Sequence, residues 1–162
     1  MTPPEFSQDF DDLLAALNEE KADFVIVGAH AMAIHGHVRA TGDLDVHVRP
    51  SAQNAQHVMD ALIRFGAPVT AHRITKSDFE IPGMVYQIGL PPNRIDLLTK
   101  LSGVDFDECL EGAVSAKLGT QEVRFIGLRS QIKNKRASGR KKDLADVEVL
   151  EALLLQQSGH IE

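Results

Sequence analysis

The sequence predicts an α+β fold: strands and amphipathic helices in irregular succession, closing on a helical segment at the C-terminus. Three observations carry this. Short apolar runs bounded by Gly, Pro or Asn mark strands at residues 24–27, 43–48, 85–90, 94–99 and 122–126. Apolar residues at three- and four-residue spacing mark helices at 6–20 and 52–65. From Leu128 onward the pattern is again helical, interrupted by a basic break at residues 138–142.

The elements follow in order. Residues 1–5 read as a short lead. Phe6, Phe10, Leu13, Leu14 and Leu17 form the inward stripe of the first helix, while Asp9, Asp11, Asp12, Glu19 and Glu20 lie mostly off it as a solvated face. Phe24-Val25-Ile26-Val27 is the first strand. Gly28-Ala29 then opens a segment with helical spacing at Ala29, Met32 and Ala33. Ser51 is a good N-cap for the helix at 52–65; Val58, Met59, Leu62 and Ile63 point inward and Gly66 ends it. Residues 67–83 read as a loop. The runs at 85–90 and 94–99, joined by Pro91-Pro92-Asn93, make a hairpin. A helix is expected at 102–113, with Asp105, Asp107 and Glu108 near its N-terminus, where the dipole favours them, and Cys109 as buried filler. In the last helix Leu144, Val147, Leu150 and Leu154 supply the core face.

The chain of 162 residues suffices for one compact domain. The expected organisation is a core over residues 1–127 with a C-terminal helical segment, 128–162, packed on it. A net charge of −6 argues against broad non-specific nucleic-acid binding. Cys109 is the sole cysteine, so no intrachain disulfide forms. No signal-like or long apolar segment is present, and the expectation is a soluble cytoplasmic protein with no membrane partner.

Chemistry concentrates in residues 23–50. Side chains alternate along a strand, so Asp43, Asp45 and His47 share one face while Leu44, Val46 and Val48 share the other. The aliphatic face has a core to enter. Two carboxylates converging to about 5 Å repel by roughly 3 kcal/mol at an effective dielectric of 20. A site that keeps both ionised calls for a cation, and Mg²⁺ takes one or two carboxylates plus substrate phosphates. Upstream, the strand that turns at Gly28-Ala29 into a helix N-terminus makes an anion site of free N–H groups. Arg39, four residues before Asp43, can fold over the cleft and take a phosphate oxygen, with Thr41 and Gly42 beside it.

The order strand, Gly-small, helix, Asp-x-Asp strand resembles the DNA polymerase β-like nucleotidyltransferase superfamily. Its pattern is an apolar residue, Gly-Gly or Gly-Ser, a gap, then two acidic residues flanking one position, with a third carboxylate on a later strand. Val27-Gly28-Ala29, Asp43-Leu44-Asp45 and Asp96 in Arg94-Ile95-Asp96-Leu97-Leu98 stand at these places. Ala29 departs from the pattern, having no hydroxyl to offer a phosphate. The resemblance looks closest to small stand-alone bacterial members, including toxin–antitoxin components. It implies a nucleotidyltransferase-like mixed β-sheet flanked by helices. It also implies Mg²⁺-dependent transfer of NMP from an NTP to a hydroxyl on a protein, a tRNA or a small molecule. Asp43, Asp45 and Asp96 would hold two Mg²⁺ ions and act as the catalytic carboxylates. Gly28, Ala29, Arg39 and Thr41 would serve the phosphates.

The basic residues of the C-terminal segment include Lys133, Lys135, Arg136, Arg140, Lys141 and Lys142. They read either as a solvated turn or as groups placing Lys133, Arg136 or Arg140 against the nucleotide or an acceptor RNA. Asp143 and Asp146 read as structural partners for them. Two rival functions remain at this point. One is a non-catalytic nucleotide-binding regulator, or a partner of a cognate toxin or antitoxin. The other is a metal-dependent hydrolase built on His35, His37, Asp43, Asp45 and His47.

Overall fold

The structure, a computed structural model, describes residues 6–38 and 42–159. In chain order the elements are α1 (Gln8–Glu19), β1 (Phe24–Val27), α2 (Gly28–His35), β2 (Leu44–Val48), α3 (Ala52–Phe65), a 3₁₀ turn (Lys76–Phe79), β3 (Val85–Ile88), β4 (Ile95–Leu98), α4 (Phe106–Leu110), β5 (Val114–Leu118), β6 (Gln121–Phe125), α5 (Leu128–Ser138) and α6 (Lys141–Gly159). The strands form one six-stranded sheet in the order β3-β4-β2-β1-β6-β5. β1–β2, β3–β4 and β5–β6 are antiparallel, whereas β2–β4 and β1–β6 are parallel. The fold is therefore α+β with a mixed sheet flanked by helices and a C-terminal helical segment.

Burial explains the local patterns. Every residue of β1 is buried, which is why 24–27 reads as a continuous apolar run instead of an alternating one. In β2, Leu44, Val46 and Val48 face the core with Ile95 and Leu97, their partners on β4. Ser51 caps α3 by accepting from Asn54 N–H, and Gly66 closes it at φ +93°. Asn54 is buried and staples the sheet to α3. Its Oδ1 accepts from Asp23 N–H at 2.6 Å, and its Nδ2 donates to the carbonyls of Asp23 and Arg49.

Several expectations are corrected. The helix predicted at 102–113 shrinks to the five residues of α4. Gly103 at φ +75° closes a turn whose flanks, Leu101 and Val104, bridge as antiparallel strands, and Gly112 at φ +67° stops the helix. The residues after it form β5, an edge strand that the sequence pattern did not mark. Asp11 is not simply solvated: it accepts from the Thr120 N–H and hydroxyl at 2.7 and 2.6 Å and ties α1 to the β5–β6 turn. Ile63 and Leu144 are exposed, not inward. On α6 the inward positions include Asp143 and Asp146, both almost fully buried.

Apolar packing divides in two. The larger cluster joins α1, α3 and the sheet. The smaller joins Met32 on α2 to Leu128 and Ile132 on α5 and to Val147 and Leu150 on α6. Among the described residues no helix is long and apolar enough to cross a membrane.

Candidate active site

Parallel pairing of β2 with β4 is what assembles the acidic residues. The register sets Asp45 opposite Asp96, so the two side chains are neighbours on one sheet face. Asp43 stands just before β2 and joins them through Arg94. The Arg94 Nη2 lies 3.1 Å from an Asp43 carboxylate oxygen, and its Nε and Nη2 donate to the two oxygens of Asp96 at 3.0 and 3.3 Å. Arg94 is the residue that sequence reasoning passed over. Its signal was available: it stands two before Asp96 in an extended segment and so shares its face.

These neighbours decide the state of Asp45. Burial pushes its carboxyl up to about 6, the negative charges of Asp96 and Asp43 and a hydrogen bond with Asp96 add to the rise, and Arg94 opposes it. The Asp45 carboxyl therefore keeps its proton to a higher pH than an ordinary aspartate does.

Across from the carboxylates lies the β1–α2 turn. Gly28 has φ +69°, and a Cβ there would collide with the Asp45 carboxylate. Glycine is required twice over, by backbone conformation and by the close approach. α2 starts at this point with no side-chain cap on its first turn, leaving backbone N–H groups to point outward. Gln131 on α5 donates to the Gly28 carbonyl at 2.9 Å, which fixes the C-terminal helices against the turn.

Together these groups border a cleft of about 420 Å³. One side carries Gly28, Ala29, Gly42, Asp43 and Asp45; Pro91 and Pro92 at the hairpin tip form a second wall; Lys135, Arg140 and Lys142 form a third. Of the three C-terminal basic residues expected at a nucleotide, Lys133, Arg136 and Arg140, Arg140 lines this cleft. Lys133 pairs with Glu108 at 2.6 Å and Arg136 pairs with Glu151, so neither forms part of the lining. Lys135 and Lys142 take their place. Lys135 is held in the interior, its Nζ 3.3 Å from both Asp143 and Asp146. Arg140 donates to Asp143 at 2.7 Å, and His37 Nε2 lies 3.2 Å from Asp146. Asp143 and Asp146 thus partner the basic residues, as the sequence suggested. Arg39 and Thr41 lie outside the described residues.

No family model and no curated protein matches the chain. Among solved structures, the chain is similar to a Thermotoga maritima protein provisionally named a nucleotidyltransferase, with a TM-score of 0.57 at 12% identity over 96% of each chain. The chain shares the overall fold of that protein. At this identity the likeness concerns the fold.

The histidines do not gather into a metal site. His35 bonds the Ile126 carbonyl at 2.6 Å, His37 meets Asp146, and His47 bonds the Leu98 carbonyl at 2.9 Å. His30 sits edge-on to Phe6 and Phe10 and bonds the Asp43 backbone; burial lowers its basicity. Three separate anchors for His35, His37 and His47 remove the geometry that the hydrolase reading needs.

Among the described residues no group of three or more His, Cys, Asp or Glu is arranged to enclose a metal ion. The donor set at the cleft is different in kind. It consists of neighbouring carboxylates whose mutual repulsion the Arg94 guanidinium offsets. Hard oxygen donors in ones and twos, with room left for phosphate and water, suit Mg²⁺.

Proposed function

We propose that this protein is a nucleotidyltransferase, moving the NMP of an NTP onto a hydroxyl acceptor. The observation that supports it most is the meeting of three elements around one cleft on this fold: the Gly28-Ala29 turn, the Asp43 and Asp45 carboxylates with Asp96 in register beside Asp45, and the basic wall of Lys135, Arg140 and Lys142.

In this reading the N–H groups that open α2 receive the β- and γ-phosphates, which the glycine admits at short range. Asp43, Asp45 and Asp96 would hold Mg²⁺, which would neutralise phosphate charge and polarise the α-phosphoryl group. The acceptor oxygen forms its bond to the α-phosphorus as the α–β bridging bond breaks and pyrophosphate leaves. Asp96 helps to take the proton that the acceptor hydroxyl gives up. Lys135, Arg140 and Lys142 offset the charge that builds on the pyrophosphate. By its sequence position Arg39 joins them, with Thr41 beside it.

A second reading is favoured by two specific features: the methyl of Ala29 where the resembled pattern carries a glycine or serine, and the Arg94 guanidinium spanning Asp43 and Asp96. It is a nucleotide-binding regulator without turnover. The acceptor (protein, tRNA or small molecule), the cognate toxin or antitoxin and the small bacterial branch belong to the proposal through the resemblance alone, and the cytoplasmic location through the sequence expectation.

A thermal-shift panel of ATP, GTP, CTP and UTP, with and without Mg²⁺, tests both. A ligand at 100 times its dissociation constant stabilises by about 2.7 kcal/mol. The expected result is a Mg²⁺-dependent shift for at least one nucleotide, lost in Asp43→Asn/Asp45→Asn, with pyrophosphate released when acceptor is supplied from extract. A shift without pyrophosphate supports the regulator. No shift with any nucleotide defeats both.

A further inference from the structure

Asp96 is held at both of its oxygens by one side chain. The Arg94 Nε donates to Oδ1 at 3.0 Å and Nη2 to Oδ2 at 3.3 Å. The same Nη2 lies 3.1 Å from Oδ2 of Asp43. Three of the four oxygens of these two carboxylates therefore face a single guanidinium. A fork of this kind is the strong form of an arginine–carboxylate pair.

The backbone of Arg94 is fixed, whereas its side chain has a way out. Its carbonyl accepts from the Leu44 N–H at 2.9 Å, and the next residue, Ile95, stands in register with Leu44. The Arg94 side chain is 30% exposed and that of Asp96 is 12% exposed. Among the described residues, the ion pairs of Arg94 are those with Asp43 and Asp96, so swinging it toward solvent breaks no other pair.

A guanidinium and a hard divalent cation seek the same lone pairs. Mg²⁺ takes carboxylate oxygens at about 2.0–2.1 Å, well inside the range at which Arg94 donates, and like charge drives the two cations apart. The phosphates of a nucleotide change the balance, because they offer the guanidinium another planar, forked partner.

We propose that Arg94 is a tethered counter-ion that competes with a divalent cation for Asp43 and Asp96 and gives them up when the cation arrives with a triphosphate. This regulation stands on the nucleotidyltransferase reading above and adds a rule to it. Arg94 resists the cation alone and is drawn off by phosphate, so cation and nucleotide are taken up together, each favouring the other.

The first probe is Mn²⁺ without nucleotide, followed by the electron paramagnetic resonance of the free ion, on protein stripped with chelator. Arg94→Gln should bind Mn²⁺ about tenfold tighter than wild type, the worth of one charge-assisted hydrogen bond. Arg94→Lys keeps the charge without the fork and should fall between the two. The second probe is a crystal structure with Mg²⁺ and a non-hydrolysable ATP analogue, in which the guanidinium should stand beyond hydrogen-bond reach of Asp96 and against a phosphate. The proposal is overturned if Arg94→Gln gains no affinity, or if Arg94→Lys binds as wild type does, which would reduce Arg94 to background charge. It is also overturned if the guanidinium stays on Asp96 with the cation bound, a result that leaves the nucleotidyltransferase reading intact. If neither wild type nor Arg94→Gln binds Mn²⁺ or the analogue, both fall together. Should Arg94→Gln fail to fold, the wild-type crystal structure decides alone.

Discussion

Asp45 sits where its own charge is unwelcome. Its carboxyl is pushed from 3.8 to about 6, first by burial and then by Asp96 and Asp43. As pH rises from about 4, the unfolded chain releases this proton before the folded chain does. The folded state therefore loses stability through the window from about 4 to 6, and the whole penalty stands above it. Two pK units correspond to roughly 3 kcal/mol. Asp45→Asn imitates the protonated carboxyl and removes the penalty. In chelator, at pH 8, this variant should resist urea better than wild type by about 1–3 kcal/mol, and the gap should close by about pH 4. Equal stabilities at pH 8 would show that Arg94 already compensates the charge in full. A residue that destabilises its own fold has a use elsewhere, and the cleft is where it points.

At the scale of elements, the junction of α5 and α6 controls which cation reaches the cleft. Gln131 and Lys135 are one turn apart on α5 and share a face. Gln131 is bonded to the Gly28 carbonyl, so Lys135 is aimed at the same turn. Lys133 and Arg136 lie off that face. The basic run was legible in the sequence, but its helical phase was not, because the phase is set by a buried glutamine that no charge pattern flags. The same holds for α4 and β5. Gly103 and Gly112 break the apparent helix at positive φ, Gly103 where Ala137 leaves no room for a Cβ. The buried ions of this junction differ in kind from the surface ones. Asp146→Ala would leave Lys135 desolvated with one partner fewer and deprive His37 of its carboxylate, a loss of about 3 kcal/mol in urea denaturation. Glu151→Ala, which removes the exposed partner of Arg136, should cost less than about 1 kcal/mol. Similar losses in both variants would mean that Asp146 is no more than a surface ion.

For the whole molecule, every strand except β5, and the aspartates, could be read in advance, while the order of the strands could not. Asp96 comes to lie beside Asp45 because β4 pairs parallel to β2, and that pairing is a long-range event with no local signal. The resemblance supplied the expectation, and register supplies the physical reason. Long-range closure also bears on how the protein unfolds. Its two apolar clusters are separate, so α5 and α6 could in principle melt away from the sheet. Hydrogen bonds across the divide argue otherwise. Gln131 donates to the Gly28 carbonyl at 2.9 Å, Ser130 to the Glu108 carbonyl at 2.6 Å and Asn134 to the Ser102 carbonyl at 2.9 Å, so losing α5 would strip partners from three separate segments. The chain has one tyrosine and no tryptophan, and Tyr86 on β3 belongs to the larger cluster. Urea unfolding followed by Tyr86 fluorescence and by far-ultraviolet circular dichroism should give coincident midpoints. If the helical signal falls first, α5 and α6 form a separate unit. The basic wall of the cleft would then assemble after the carboxylates, and nucleotide binding would be coupled to that later step.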